Sequence, residues 1–437
     1  MTCRVGLLGV GTVGGGVAEL LLKDREGLRR RAGGVDIELV AAANRSPERL
    51  EPLRSAGVAC YSDPVEVIAR DDVDVVAEMI GGTKTAKTLV MDALSRGKPV
   101  VTANKHLLAE SGAEIVRAAR ASGAALGFSA AVCGGVPALL ALRTGLVANE
   151  ISSVAGIVNG TCNYILTKMS AEGTPYPDAL AEAQAAGYAE ADPALDVGGH
   201  DSAHKLAILA ALAFRTPVDL ASVSCEGISE MDVADIRYAD EMGYVVKLLA
   251  IGKRVGVGGK GDIELRVHPT LLPRSHPLAA VGDVFNAVEV TGGAVGRVMF
   301  RGRGAGRYPT ASNVVADLVE VSRGSAARAT DQLAFWDEPE GLAVSPTEEA
   351  RTRFYVRFSV SDEYGVLGRI AHVLGEHRVS VASVIQKEPG ADAENAGVPI
   401  VMLTQEARHG DFLAALEEID RFDFSKRKSV FIRVEEG

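Results

Sequence analysis

Cysteine is scarce in this 437-residue chain: Cys3, Cys60, Cys133, Cys162 and Cys225 are odd in number, far apart and never spaced C-x-x-C. That spacing argues against a disulfide framework and a thiolate zinc site and leaves reduced thiols. Long apolar runs are missing as well. The longest uninterrupted one, Leu206 to Phe214, stops at nine residues, against the roughly 20 that a membrane-spanning helix needs. The first residues enter a strand-like run at once, without a basic n-region, an apolar h-region or a small-residue cleavage site, so a cytoplasmic location is expected. Positive charge is in deficit: 46 Lys and Arg stand against 57 Asp and Glu, a formal net charge of −11, and no dense basic run occurs. Nucleic acid is therefore not expected as a partner. Neither an internal repeat nor a low-complexity tract is present beyond a general richness in alanine. What remains is globular composition, 47% hydrophobic and 24% charged, in a chain long enough for two to four domains of roughly 100 to 200 residues each.

From Arg4 to about Ser129, short β-branched runs such as Val5–Leu8, Ile37–Ala41 and Val73–Val76 alternate with amphipathic stretches. Strands alternating with helices predict a Rossmann-like, doubly wound α/β domain over residues 1–130. The pattern turns mainly helical from about Val136 to Val223 and returns to β-rich runs from Tyr244 to Phe300, which predicts an α+β domain over 131–301. A segment at about 302–322 is expected to complete the first domain. Residues 323–352, including the run Trp336 to Gly341, carry little periodicity and many turn-forming groups and read as a linker. Residues 353–437 form a further unit, in which Phe354–Val360 alternates like a strand, Val366–Leu374 repeats like a helix and Val379–Ile385 resumes as a strand. A βαββαβ sandwich fits that order.

Gly9-Val10-Gly11-Thr12-Val13-Gly14 follows the first strand and opens a helix through Val17, Leu20 and Leu21. Glycines in that context permit a tight turn, close backbone approach to a pyrophosphate and close helix packing, while the helix N-terminus offers free N–H groups. Gly9, Gly11, Thr12, Val13 and Gly14 are thus the candidate dinucleotide cradle. At the end of the second strand, where NAD enzymes usually present Asp or Glu to the ribose, the chain has Ala43-Asn44-Arg45-Ser46. Arg45, next to Asn44, suits a 2′-phosphate and favours NADP over NAD.

Three further stretches carry a family signal: Val101-Thr102-Ala103-Asn104-Lys105; the run from Gly187 through Glu190, Pro193, Asp196 and Asp201 to Lys205; and Gly302-Arg303-Gly304-Ala305-Gly306 followed by Pro309-Thr310-Ala311. With the N-terminal glycines they resemble the homoserine dehydrogenases, over essentially the whole chain, and Asp362 to Leu367 is similar to the start of an ACT domain. The resemblance implies reversible NAD(P)H-dependent reduction of L-aspartate 4-semialdehyde to L-homoserine, on the route to threonine, methionine and isoleucine. It makes 131–301 the substrate-binding, catalytic and dimerisation domain and 353–437 a regulatory ACT-like domain, with threonine as the first candidate effector and a homodimer or homotetramer as the assembly. It also implies a monovalent cation, sodium by preference, on the backbone carbonyls of Ser129, Val132, Gly134 and Val136, although Ser129 stands where a glutamate is usual. Gly81 to Ala86 lacks the proline more often found before that alanine.

Aldehyde reduction needs a proton donor at the carbonyl oxygen, and an ammonium both stabilises the developing alkoxide and gives up a proton. Asp201 and Lys205, four apart at the start of an apolar helix, project from one face. By resemblance Lys205 is the acid/base group, and Asp201 with Glu190 holds the substrate's α-amino group, with Asp196 and Gly187 beside them. Lys105, at the carboxyl edge of the sheet, is expected to touch cofactor or substrate, and Gly304 belongs to a second glycine loop facing the nucleotide. Cys133 and Cys162 have no histidine close in sequence and read as packing residues rather than nucleophiles.

Overall fold

The computed structural model describes residues 2–256, 262–324, 330–338, 341–386 and 397–436. Two sheets organise it. The first has six parallel strands, β1 (Thr2–Leu8), β2 (Asp36–Ala43), β3 (Ala59–Tyr61), β4 (Val75–Glu78), β5 (Val100–Thr102) and β6 (Leu126–Gly127), in the order β3-β2-β1-β4-β5-β6. Val5, Leu7, Leu8, Val75, Val76, Val100 and Val101 are all fully buried. Helices cover both faces, so these strands read as continuous apolar runs rather than alternating ones. Strand order reverses between β1 and β4, and the crevice at that switch point is where such sheets take ligands. The helix Arg307–Ser322 returns to this layer and packs on the helix Thr12–Lys23. Their approach is close enough that a Cβ on Gly16 would lie 2.8 Å from the Arg307 carbonyl oxygen.

The second sheet has eleven strands. β7 (Ile151–Ile157), β9 (Tyr244–Arg254), β10 (Ile263–Pro273), β11 (Phe285–Gly292) and β12 (Gly296–Arg303) form one half, with β8 (Ser224–Cys225) beside β10. β13 (Arg351–Val360), β14 (Val381–Gln386), β15 (Val398–Thr404), β16 (Ala407–Arg408) and β17 (Ser425–Val434) form the other. The path runs β12-β11-β7-β9-β10-β17-β13-β15-β14. β7 lies inside the stretch expected to be mainly helical; Ile151, Val154, Gly156 and Ile157 are buried, but seven residues interrupted by Ser152-Ser153 carry too short a pattern to stand out.

The last unit has the expected strand-helix-strand-strand-helix-strand order, its helices being Val366–Glu376 and His409–Ile419, over a core of Phe354, Phe358, Ile370 and Phe412. Its sheet is not separate, however. β17 pairs in parallel with β10 through Thr270–Arg433 and Leu271–Val434, because an edge strand offers unpaired N–H and C=O groups that another edge can satisfy. An ionic seam centred on buried Arg266 and Arg433 fastens the join: the Arg266 guanidinium pairs with Glu435 and Glu264, Lys253 with Glu435 at 2.5 Å, and Arg433 with Glu226 at 2.8 Å. Part of 323–352, expected as a linker, is packed. Residues 325–329 and 339–340 lie outside the described ones, but Leu333, Phe335 and Trp336 are buried, with Trp336 edge-on to Phe128 at 5.8 Å and packed over Gly112. Two large aromatics in a stretch without periodicity are held by burial, Trp336 against the first domain and Phe335 under Arg215 of the second.

Candidate active site

The cradle is built by three glycines for three different reasons. Gly9 has φ +92°, and a Cβ there would meet the Met79 carbonyl oxygen at 2.7 Å; on Gly14 it would strike the Gly9 carbonyl oxygen at 1.9 Å. On Gly11 it would instead make only an ordinary contact, with Arg49 Nη1 at 3.7 Å. The helix Thr12–Lys23 starts there with no side-chain cap on Gly11, so the first N–H groups, including those of Thr12 and Val13, are available to an anion. Asn44 braces the turn by accepting from the Val10 N–H at 3.0 Å. Arg45 is exposed on the rim of a 1090 Å³ cleft that Gly9, Gly11, Arg49 and Gly82 also line, a volume that accommodates a dinucleotide.

Across the same sheet edge, Asn104 caps the helix Lys105–Ser122, accepting from the Leu107 N–H at 3.1 Å and donating to the Gly82 carbonyl at 2.7 Å. That cap fixes where Lys105 emerges. Lys105 Nζ lies 2.5 Å from Asp201 Oδ1, and Lys205 Nζ lies 2.6 Å from Asp201 Oδ2 and 2.6 Å from the Val158 carbonyl oxygen. One buried carboxylate is therefore clamped between two ammonium groups delivered by different domains. Asn159 Nδ2 donates to Asp201 at 2.8 Å and to Asp196 at 2.7 Å. Burial by itself would raise the Asp201 carboxyl, but Lys205 and Lys105 outweigh it and hold the group well below the carboxylate range. Burial would lower the Lys205 ammonium, and Asp201 reverses that and raises it. Asp196 goes the other way: burial pushes it up, against the Asn159 hydrogen bond.

A model described as homoserine dehydrogenase matches residues 137–319, and one for the homoserine dehydrogenase NAD-binding domain matches residues 9–129. A homoserine dehydrogenase of Neisseria gonorrhoeae is 43% identical over 436 residues, 99% of this chain and 98% of its own. The crystal structure of a homoserine dehydrogenase from Thiobacillus denitrificans superposes with a TM-score of 0.91 at 43% identity, covering 100% of this chain and 99% of that one. The chain belongs to the homoserine dehydrogenase family. It is an oxidoreductase acting on a CH–OH group with a nicotinamide cofactor. A hyperthermophilic archaeal homoserine dehydrogenase, solved in complex with NADPH, is 28% identical with a TM-score of 0.62 and covers 74% of this chain but 98% of its own.

Among the residues singled out in this homoserine dehydrogenase, Lys105, Lys205, Asp201 and Asp196 come together. Glu190 is exposed, and among the described residues no hydrogen bond or ion pair joins its carboxylate to Asp201; its backbone carbonyl accepts from Gln184 Nε2 at 3.1 Å. Gly187, at φ +74° just past the helix Tyr176–Ala185, turns the chain toward that segment. At Gly304 a Cβ would fall 2.0 Å from Asn286 Nδ2, so the close approach of that side chain requires glycine there. Asn286 in turn donates at 2.9 Å to the Val158 carbonyl that anchors Lys205. Cys133 and Cys162 are fully buried, and burial pushes both thiols up, the opposite of what a nucleophile needs.

In the loop expected to hold a monovalent cation, a side-chain amide occupies part of the carbonyl set. Asn313 Nδ2 donates to the Gly134 carbonyl at 2.7 Å and stands 3.5 Å from that of Val136. Ser129 gives its N–H and its hydroxyl to Asp317 at 2.7 Å each, which engages the carboxylate beside the loop. The Asn313 amide thus already serves two of the four carbonyls, those of Gly134 and Val136, on which the cation was expected. Asn159, Asn286, Asn313 and Glu78 escape a reading of the sequence. Glu78 is fully buried at the end of β4 and accepts from Thr102 Oγ1 and the Ile80 N–H, both at 2.7 Å. Only Asn159 carries a local signal, as the cap of the helix Gly160–Glu172.

Proposed function

We propose that the enzyme interconverts L-homoserine and L-aspartate 4-semialdehyde, prefers NADP to NAD, and uses Lys205 as the group that gives and takes the proton. The observation that carries this reading is the recessed Lys205–Asp201–Lys105 cluster on the same carboxyl edge as the glycine cradle. The bound nicotinamide supplies hydride in one direction and accepts it in the other. In reduction, the Lys205 ammonium stabilises the oxygen as negative charge develops and then protonates it at Nζ. Asp201 and the Val158 carbonyl fix the direction of Nζ. Of the two lysines Lys105 is the more exposed, at 30% against 11%, and is the partner that a substrate α-amino group displaces from Asp201, with Glu190, Asp196 and the turn at Gly187 completing that pocket. Arg45 at the rim supports the NADP preference, as does the archaeal relative solved with NADPH. Replacing Lys205 by Ala should lower homoserine oxidation about 10²- to 10⁴-fold while leaving NADP binding, read by fluorescence, unchanged; normal turnover would sink the assignment.

The C-terminal unit is read as an ACT-like regulatory domain that pairs with its copy in a homo-oligomer. Its βαββαβ order supports this, as do family models that end at residue 319 and an archaeal relative that matches only 74% of the chain. A 510 Å³ cleft lined by Asp362, Tyr364, Gly365, Gln386 and Ile400 is the candidate effector site.

A further inference from the structure

The loop from Ser129 to Val136 is closed by the chain's own side chains. Gly134 and Val136 turn their carbonyl oxygens toward one point, because a single nitrogen, Asn313 Nδ2, reaches both, at 2.7 and 3.5 Å. Oxygens that converge need a positive partner, and here the partial positive charge of an amide supplies it. Asn313 is itself buried, on the helix Arg307–Ser322 that packs over the nucleotide domain. One turn further along that helix, Asp317 takes both donors of Ser129. Burial pushes the Asp317 carboxyl up to about 6, against the Ser129 hydrogen bonds and the charge of Arg143, which lies 5.0 Å over the Phe128 ring. The carboxylate beside this loop is therefore engaged by Ser129.

We propose that the Asn313 carboxamide takes the place of a loop cation in this enzyme, so that neither its fold nor its turnover requires a bound monovalent ion. Asn313 is then a positioning residue: it holds the loop that carries Cys133, whose sulfur accepts from Asn286 at 3.4 Å, and Asn286 braces the carbonyl anchoring Lys205. The proposal does not rest on the assignment of Lys205, because melting reads it without turnover.

The test compares the full-length enzyme in sodium, potassium and tetramethylammonium chloride at equal ionic strength, by melting temperature and by homoserine oxidation. The wild type should melt within about 1 °C in all three and differ in rate by less than about 2-fold, since a ligand that does not bind the native state does not stabilise it. Asn313→Asp replaces the amide donor by a carboxylate facing two carbonyl oxygens. This variant should melt at least about 4 °C higher in sodium or potassium than in tetramethylammonium, having acquired the site that the amide filled. Asn313→Ser, which leaves space and no charge, should show the same order with a smaller spread, and covers the case in which the aspartate variant does not fold. A wild type stimulated 10-fold or more by sodium or potassium overturns the proposal, as do folded variants that remain as indifferent to the cation as the wild type.

Discussion

Replacing Asp201 by Asn keeps the size of the side chain and removes one charge from the centre of the site. The carboxylate is 3% exposed and lies 2.5 and 2.6 Å from two ammonium groups, so the variant leaves two cations facing each other with only amide dipoles between them. Removing one partner of a buried pair typically costs about 3 to 5 kcal/mol. Lys105 is partly exposed and can turn toward water, whereas Lys205 is recessed, so the cost should sit near the lower end, about 3 kcal/mol. The chemical signature is sharper than the stability loss. Asp201 is what raises Lys205 against the opposing effect of burial; without it burial prevails and Lys205 loses its proton at lower pH. With Lys205 as the proposed proton acceptor, homoserine oxidation uses the free amine, so its rate in the wild type should climb with pH through the raised Lys205 value. In Asp201→Asn that climb should shift toward acid, with the plateau lowered about 10²-fold because Nζ is no longer aimed. Steady-state kcat/KM for homoserine from pH 6 to 11, together with a urea melt, checks both halves. A variant whose pH profile superimposes on the wild type, whatever its plateau, would refute the claim that Asp201 controls the Lys205 proton.

Arg45→Ala should weaken NADP by about 1 to 3 kcal/mol more than NAD, the range of a charge-assisted phosphate contact; equal losses in a titration with both cofactors would show that Arg45 does not read the phosphate. The effector reading is best tested by a point change, because truncation before β13 would strip Glu435 from Arg266, which is 3% exposed. Gly365→Asp, at φ +83° on the edge of the candidate effector cleft, should abolish inhibition by threonine and leave basal activity within about 2-fold. A wild type that ignores threonine, methionine and isoleucine would end the sensing reading. At the seam, burial and then Arg433 push His409 down from 6.5 to about 4, so the folded chain keeps it neutral while the unfolded chain protonates it first. Stability present above about pH 6.5 should decline by about 3 kcal/mol as the pH falls toward 4, at about 1.4 kcal/mol per pH unit, and level off below that. Thermal melts of wild type and His409→Gln across that range should show a shallower slope in the variant, and identical slopes would remove His409 as the source.

What was legible in the sequence is what repeats or stands in a fixed frame. Fully buried parallel strands need unbroken apolar runs, so β1, β4 and β5 declare themselves, and the spacing of Gly9, Gly11 and Gly14 declares the turn into the first helix. The i, i+4 pair Asp201 and Lys205 shares a helix face whatever the tertiary fold. What was not legible depends on which backbone group the fold delivers to a side chain. An asparagine has two donors and an acceptor with no preferred partner, so nothing local to Asn286 points to the Val158 carbonyl 128 residues away, and nothing near Asn313 points to Gly134, 179 residues away. The parallel pairing of Thr270 with Arg433 is of the same kind: alternation marks β17 as a strand but says nothing of which edge it meets. Glycine makes the point most directly. Gly11 and Gly304 both sit in glycine-rich loops and both read as places where a nucleotide approaches, yet a Cβ on Gly11 would make only an ordinary contact with Arg49 and one on Gly304 would collide with Asn286. The first glycine leaves the helix N-terminus uncrowded; the second leaves room for the Asn286 side chain that braces the Val158 carbonyl, so the same residue type answers to different neighbours in the two loops.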